Sequence, residues 1–258
     1  MNAPPPVADD FALFLDFDGT LVEIAPTPTS IDIAPSLAGH LKRLERRLAG
    51  ALALVSGRSI RELDDFLDPL DLPAAGLHGL ETRFRAGEPA EPAPVGPEIA
   101  MLKEALSGSG LLSRGVTLED KGAALAVHYR IAPDCEEAVM EVMRQVLEGL
   151  PDLHLVRGKM VVEAKPAYRD KGWAVSRFME MDPFRGRTPV FVGDDVTDED
   201  GIRMAQALGG FGIKIGDGHS EARFRLAGVK EVHAWLEETV SARARPPSRT
   251  TTPRSDSE

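Results

Sequence analysis

The chain has 258 residues, enough for one large domain or two modest ones at roughly 150 residues each. Thirty lysines and arginines stand against 41 aspartates and glutamates, a net charge of −11, which argues against general binding to nucleic-acid phosphates or anionic membrane surfaces. The lone cysteine, Cys135, excludes an intrachain disulfide and a cysteine metal cluster and suits a reducing compartment.

Residues 1–10 hold three prolines and two aspartates, with neither a basic region nor a long apolar run, so no signal peptide is expected. No apolar stretch approaches the roughly 20 residues that span a bilayer. The reading is a soluble, cytoplasmic protein. Residues 241–258 carry four arginines, Asp256 and Glu258 but no large apolar residue. Segments of this kind bury too little to offset their ordering entropy, so residues 1–10 and 241–258 are expected to lie outside the fold.

Between those ends, continuous apolar runs at Phe11–Leu15, Ala51–Val55, Pro189–Val192 and Phe211–Ile215 predict strands covered on both faces. Leu37, Leu41, Leu44 and Leu48 form one stripe of a helix after the first run. Ile60, Leu63 and Phe66 follow the second, and Ile202, Ala205 and Leu208 follow the third. Alternation of strand and helix predicts a doubly wound parallel α/β sheet.

The first strand runs into Asp16-Phe17-Asp18-Gly19-Thr20. Ligands gather at the carboxyl ends of parallel strands, and Gly19 permits the immediate turn that lets both carboxylates address one place. One aspartate would serve as a helix cap; the second is unneeded for that and adds repulsion. Ser56-Gly57-Arg58 closes the second strand and opens a helix, where a hydroxyl, a flexible residue and free amides make an anion-binding corner. Serine and glycine are also ordinary connectors, so this tripeptide alone is weak.

Residues 86–97 hold four prolines and two glycines and read as a linker. From there to about 165 the order becomes αββαββ: a helix near Glu98–Leu112, strands near Val116–Glu119 and Ala123–Tyr129 about an Asp120-Lys121-Gly122 turn, a helix near Cys135–Leu150, and strands near Leu153–Val156 and Met160–Ala164 about an Arg157-Gly158-Lys159 turn. Their alternation suits a sheet covered on one face. Glu119 and Lys121 flank the first turn, and Glu163 and Lys165 end the last strand. By residue type alone these are solvated hairpin charges.

Lys171 opens a helix, the wrong sign for the helix dipole unless it reaches inward to an anion. The third long strand ends in Gly193-Asp194-Asp195-Val196-Thr197-Asp198-Glu199-Asp200, five carboxylates within seven residues. Capping explains one or two of them. Gathering the others beside Asp16 and Asp18 calls for a cation, and hard oxygen donors suit Mg²⁺.

Taken in order, DFDGTL, SGR, DKG and GDDVTDED resemble the four motifs of the haloacid-dehalogenase (HAD) superfamily of phosphotransferases. The resemblance implies an HAD-like core over 11–85 and 166–240 with an inserted α+β cap domain at 86–165, since 112 residues separate Arg58 from Lys171. It further implies that Asp16 attacks phosphorus and that Asp18 is the general acid and base. Ser56, Gly57 and Lys171 would hold the phosphoryl group. Mg²⁺ would rest on Asp16, the Asp18 main-chain carbonyl and Asp194, with Asp198 supporting it directly or through water. LEDKG, GKMVVEAKP and AGLHGLE, together with GDDVTDED, closely resemble the trehalose-6-phosphate phosphatases. In that family residues matching Glu119, Lys121 and Glu163 grip sugar hydroxyls, and Lys165 joins them as a candidate. The implied activity is Mg²⁺-dependent hydrolysis of a small sugar phosphate, trehalose 6-phosphate, through an aspartyl-phosphate. The alternatives are sucrose phosphate or a glycosyl-3-phosphoglycerate as substrate, or a non-hydrolytic phosphoacceptor module. Arg157, Lys159, His78 and His128 receive no role, and the oligomeric state is not legible.

Overall fold

The computed structural model describes residues 2–25, 31–148, 152–158 and 160–241. Strands and helices alternate at first, and three strands then follow one another: β1 Phe11–Leu15, α1 Leu37–Arg47, β2 Leu52–Val55, α2 Ile60–Leu67, β3 Ala74–Gly76, β4 Glu81–Arg83 and β5 Glu91–Pro92. The middle is α3 Pro97–Gly108, β6 Thr117–Asp120, β7 Leu125–His128, α4 Glu136–Leu147, β8 Leu153–Gly158 and β9 Val161–Pro166. Last come α5 Lys171–Met179, β10 Thr188–Gly193, α6 Asp198–Ala207, β11 Phe211–Ile215, β12 Phe224–Leu226 and α7 Val229–Ser241.

Eight strands form the main sheet in the order β12-β11-β10-β1-β2-β3-β4-β5. Every residue of β1, β2 and β11 is buried, as expected for continuous apolar runs sandwiched between helices. Pairing is parallel from β12 to β3, whereas β4 and β5 are antiparallel. The sheet is therefore mixed at one edge, not wholly parallel. Only residues 77–80 separate β3 from β4, too few for the crossover of a dozen or more residues that a parallel pair needs.

The segment at 86–97, expected as a plain linker, contributes edge strand β5, and Ala93 is buried with Leu80, Ala123 and Ala124. Pro92 is acceptable there because an edge strand leaves one side of its backbone unpaired. Residues 2–10, expected to lie outside the fold, pack onto it. Asn2 bridges Phe224, the Trp235 indole donates to the Pro5 carbonyl at 2.8 Å, and Val7 is fully buried. Arg47 secures the segment through Asp9 at 2.8 Å and the Val7 carbonyl at 3.0 Å. A proline run has little backbone freedom to lose, so few contacts hold it. The expected tail from residue 242 onward, Lys159 and Leu150 lie outside the described residues.

A second, antiparallel sheet has the order β6-β7-β9-β8. Helices α3 and α4 cover one face, burying Leu102, Leu106, Leu125, Val127, Val139, Met143 and Val162 in a core separate from that of the main sheet. On the opposite face the register sets Glu119, Ala126 and Glu163 in one row. Among the described residues no helix is long and apolar enough to cross a membrane.

Candidate active site

Strands β1, β2 and β10 are neighbours, so the loops leaving their carboxyl ends meet. They enclose a cavity of about 490 Å³ lined by Asp16, Asp18, Ser56, Gly57, Arg58, His78, Lys171, Asp194 and Asp195, among others. Asp16 continues the β1 register: its amide donates to the Val192 carbonyl at 2.9 Å. Gly19 adopts φ +76°, and a Cβ there would lie 2.2 Å from an Asp194 carboxylate oxygen. Only glycine lets this turn pass so close to the acidic loop.

Lys171, the first residue of α5, is buried, and its ammonium bridges Asp16 Oδ1 at 2.7 Å and Asp198 Oδ1 at 2.5 Å. Burial alone would lower the Lys171 pKa, but the two adjacent carboxylates hold it above its ordinary value. Burial pushes the Asp16 carboxyl up; Lys171 opposes that shift and Asp198 adds to it. Asp194 is also raised, first by burial and then by Asp198 and Asp195. Asp16, Asp194 and Asp198 each offer a carboxylate oxygen within 4.8 Å of the others. Three carboxylates against one ammonium leave net negative charge in a low-dielectric pocket. This donor set fits a hard divalent cation.

The Asp198 side chain is turned away from capping its own helix. Its Oδ2 accepts from the Asp195 amide at 2.9 Å while Oδ1 accepts from Lys171. Asp18 faces a different partner: Arg58 donates to it from Nε at 2.6 Å and from Nη2 at 2.8 Å. Arg58 also lies over the Phe66 ring, 5.1 Å from its centroid. Ser56 is buried, and its Oγ accepts from the Arg58 amide at 3.2 Å.

The polar residues of the second sheet do not line this cavity. Glu119 pairs with His128 at 2.8 Å, and Lys121 with Glu163 at 3.1 Å. Lys165 is largely buried, which lowers its pKa although Glu163 and Asp170 oppose the shift. Arg157 is exposed on β8. Two contacts at the acidic loop were not read from the sequence. Lys214 donates to the Asp194 main-chain carbonyl, and Thr20 Oγ1 lies 3.5 Å from Asp194 Oδ1. The available signal for the first was a single lysine inside the otherwise apolar β11; it is only 5% exposed. The grip of Arg58 on Asp18 was missed too, since it depends on β1 and β2 being neighbours.

Comparison with known proteins gives the family and the fold. The sequence model of the trehalose-phosphatase family matches residues 14–230. Over 250 residues the chain is 41% identical to the trehalose-6-phosphate phosphatase of Escherichia coli K12, covering 94% of this chain and 91% of that protein. Its fold is similar to that of Aspergillus fumigatus trehalose-6-phosphate phosphatase (TM-score 0.70, 24% identity, 89% of this chain and 92% of the other). It is also similar to a HAD-superfamily phosphatase from Bacteroides thetaiotaomicron (TM-score 0.64, 16% identity, 91% and 96%).

Proposed function

The chain belongs to the trehalose-phosphatase family, and we propose that it hydrolyses trehalose 6-phosphate to trehalose and phosphate with Asp16 as nucleophile. The observation that carries this reading is the buried Asp16 at the end of β1, held by Lys171 in a cavity that it shares with Asp18, Ser56 and Asp194.

In this reading an Asp16 carboxylate oxygen attacks phosphorus, the bond from phosphorus to the sugar oxygen breaks, and Asp18 gives its proton to the departing oxygen. The resulting aspartyl-phosphate is then attacked by water. Asp18, now ionised, takes the water proton, and Asp16 is released with inorganic phosphate. Lys171 and the Ser56 hydroxyl, with the backbone at Gly57, bind and orient the phosphoryl oxygens. The ammonium offsets charge where it builds up in the transition state. Asp198 keeps Lys171 aimed at Asp16.

Asp16, Asp194 and the Asp18 main-chain carbonyl would hold Mg²⁺, with Asp198 beside them. The ion supplies Lewis-acid charge neutralisation at the phosphoryl group. Thr20 and Lys214 orient the Asp194 segment from behind.

We further propose that residues 86–165 act as a cap over the core formed by 11–85 and 166–240. Its polar face would present Glu119, Lys121, Glu163 and Lys165 to the sugar. A carboxylate accepts from vicinal hydroxyls and an ammonium donates, which suits a disaccharide with little apolar surface. Closure of such a cap excludes water from the reacting centre.

The test is phosphate release with Mg²⁺ from trehalose 6-phosphate, sucrose 6-phosphate and glucosyl-3-phosphoglycerate. The highest kcat/KM is expected for the trehalose ester. Equal rates on all three, or a preference for another ester, would overturn the substrate assignment. Turnover retained by Asp16→Asn would overturn the covalent mechanism.

A further inference from the structure

His78 lines the cavity and has no task in the mechanism above. Its backbone is left-handed at φ 55° and ψ 38°, between Leu77 at φ 50° and Gly79 at φ 93°. A non-glycine residue in that region costs on the order of 1–2 kcal/mol, and persists where surrounding contacts impose it. Those contacts come from the catalytic loops. The Leu77 amide donates to the Arg58 carbonyl at 2.9 Å, and the His78 amide to the Ser56 carbonyl at 3.0 Å. Arg169, two residues before Lys171, donates to the Gly79 carbonyl at 3.2 Å. The strained turn is thus fastened both to the phosphate corner and to the segment leading into α5.

The ring is placed just as narrowly. A Cβ on Gly57 would lie 2.7 Å from Nε2, so the imidazole packs directly on the phosphate-corner backbone. Among the described residues the ring makes no hydrogen bond, and its Nδ1 is buried without a partner. An unmade hydrogen bond at a buried polar atom is costly. An imidazole forced into a strained turn at the cavity wall and left unpaired is what a site for an absent ligand looks like in the free protein. Burial is the main cause that keeps the ring neutral, with its pKa lowered to about 3. The positive charges of Lys171, Lys165 and Lys121 add to that effect, and the more weakly felt Asp195 carboxylate opposes it. Packing locates the ring: Lys171 lines the same cavity, and the neighbouring Leu77 packs against the cluster of Leu80, Ala93, Ala123 and Ala124, which adjoins β7 of the second sheet. With Nδ1 enclosed, Nε2 is the ring nitrogen left to a ligand; in the neutral imidazole it donates or accepts according to the tautomer, and a hydroxyl can answer either. A phosphoryl oxygen would be better served by a cation.

We propose that His78 is a specificity-determining residue, hydrogen-bonding a hydroxyl of the leaving alcohol at the junction between the phosphoryl site and the second sheet. This rests on the reading of the protein as a sugar-phosphate phosphatase. It adds a reader on the core side, opposite Glu119, Lys121 and Glu163.

The test compares His78→Asn and His78→Gln with the wild type on trehalose 6-phosphate and on p-nitrophenyl phosphate, whose leaving group has no hydroxyl to read. Asparagine tolerates the left-handed backbone, and thermal melting of both variants establishes that they fold. The expected result is a fall in kcat/KM on the sugar ester at least about tenfold larger than on the aryl ester. The inhibition constant of trehalose should weaken in parallel. Equal losses on both esters, with trehalose inhibition unchanged, would make His78 a structural prop and overturn the proposal. The wild-type ester panel tests the underlying reading separately. If glucosyl-3-phosphoglycerate or sucrose 6-phosphate proves to be the preferred ester, the same comparison is run on that one, and there again an equal loss overturns the assignment.

Discussion

Arg58 grips Asp18 at two points, Nε to Oδ2 at 2.6 Å and Nη2 to Oδ1 at 2.8 Å, and the guanidinium is itself steadied by the Phe66 ring and by Glu62 at 3.6 Å. The carboxylate proposed to move protons thus rests in a planar fork in which both oxygens accept, the form that takes a proton from water; to give one to the departing oxygen it must release one of these contacts. Asp18→Asn should lower kcat by roughly 10²–10⁴-fold, the usual worth of a general acid and base. Arg58→Ala should cost less, and Arg58→Lys should restore little, since an ammonium cannot make the paired contact. In the Asp18→Asn background the Arg58→Ala change should add almost nothing. Steady-state rates for the four-protein cycle check this, and fully additive losses would show that Arg58 acts elsewhere.

The Asp16, Asp194 and Asp198 carboxylates repel one another, and Lys171, with Lys214 at the Asp194 segment, compensates them in part. Mg²⁺ should therefore stabilise the folded protein. At about 100 times its Kd the gain is roughly 2.7 kcal/mol, a rise in Tm of about 5–10 °C for a chain of this size. Asp194→Asn should remove most of that rise, and EDTA should abolish both the shift and phosphate release. Differential scanning calorimetry with and without metal measures the stability effect independently of turnover. An identical Mg²⁺ shift in Asp194→Asn would place the ion elsewhere.

How much of this was legible in the sequence follows from burial. Strands such as Phe11–Leu15 lie between two helical layers, so they read as continuous apolar runs. The carboxyl ends of parallel neighbours necessarily converge, which places Asp16, Ser56 and Asp194 at one cavity. Strand β4 escaped notice because all three of its residues are polar: Arg83, at its end, is buried yet satisfied by Asp64 at 2.6 and 2.7 Å and by the Leu72 carbonyl at 2.8 Å. Strand β3, with two alanines and a glycine, is too short and small to register as periodicity. The contact of Arg58 with Asp18 spans 40 positions and depends on which strands become neighbours, and local pattern does not carry that information.

Lys121 and Glu163 form a half-buried ion pair at 3.1 Å, with about one fifth of each side chain exposed. Such a pair is a poor source of stability but a ready donor and acceptor set once a hydroxyl inserts between its members. Glu163→Gln should raise KM for trehalose 6-phosphate by about tenfold more than for p-nitrophenyl phosphate, with a smaller change in kcat. Thermal stability should change by no more than about 1 kcal/mol. A proportional rise in KM for both esters would remove Glu163 from the sugar site.

The neutral ring of His78 also makes a prediction about acid stability. Its folded pKa is depressed to about 3, against 6.5 for an ordinary histidine. Between those values the unfolded chain binds a proton that the native state refuses. The stability associated with this group is therefore intact above about pH 6.5, and is lost as pH falls through the window towards 3. Asparagine has no such ionisation. The stability difference between the wild type and His78→Asn should accordingly hold steady from pH 7 to 8, then move in favour of the variant by about 1–2 kcal/mol between pH 7 and pH 5. Urea unfolding at a series of pH values reads this directly, because carboxylates common to both proteins cancel in the difference. A difference that stays flat down to pH 5 would mean that the ring is free to protonate in the folded protein, and so is solvated rather than buried at the cavity wall.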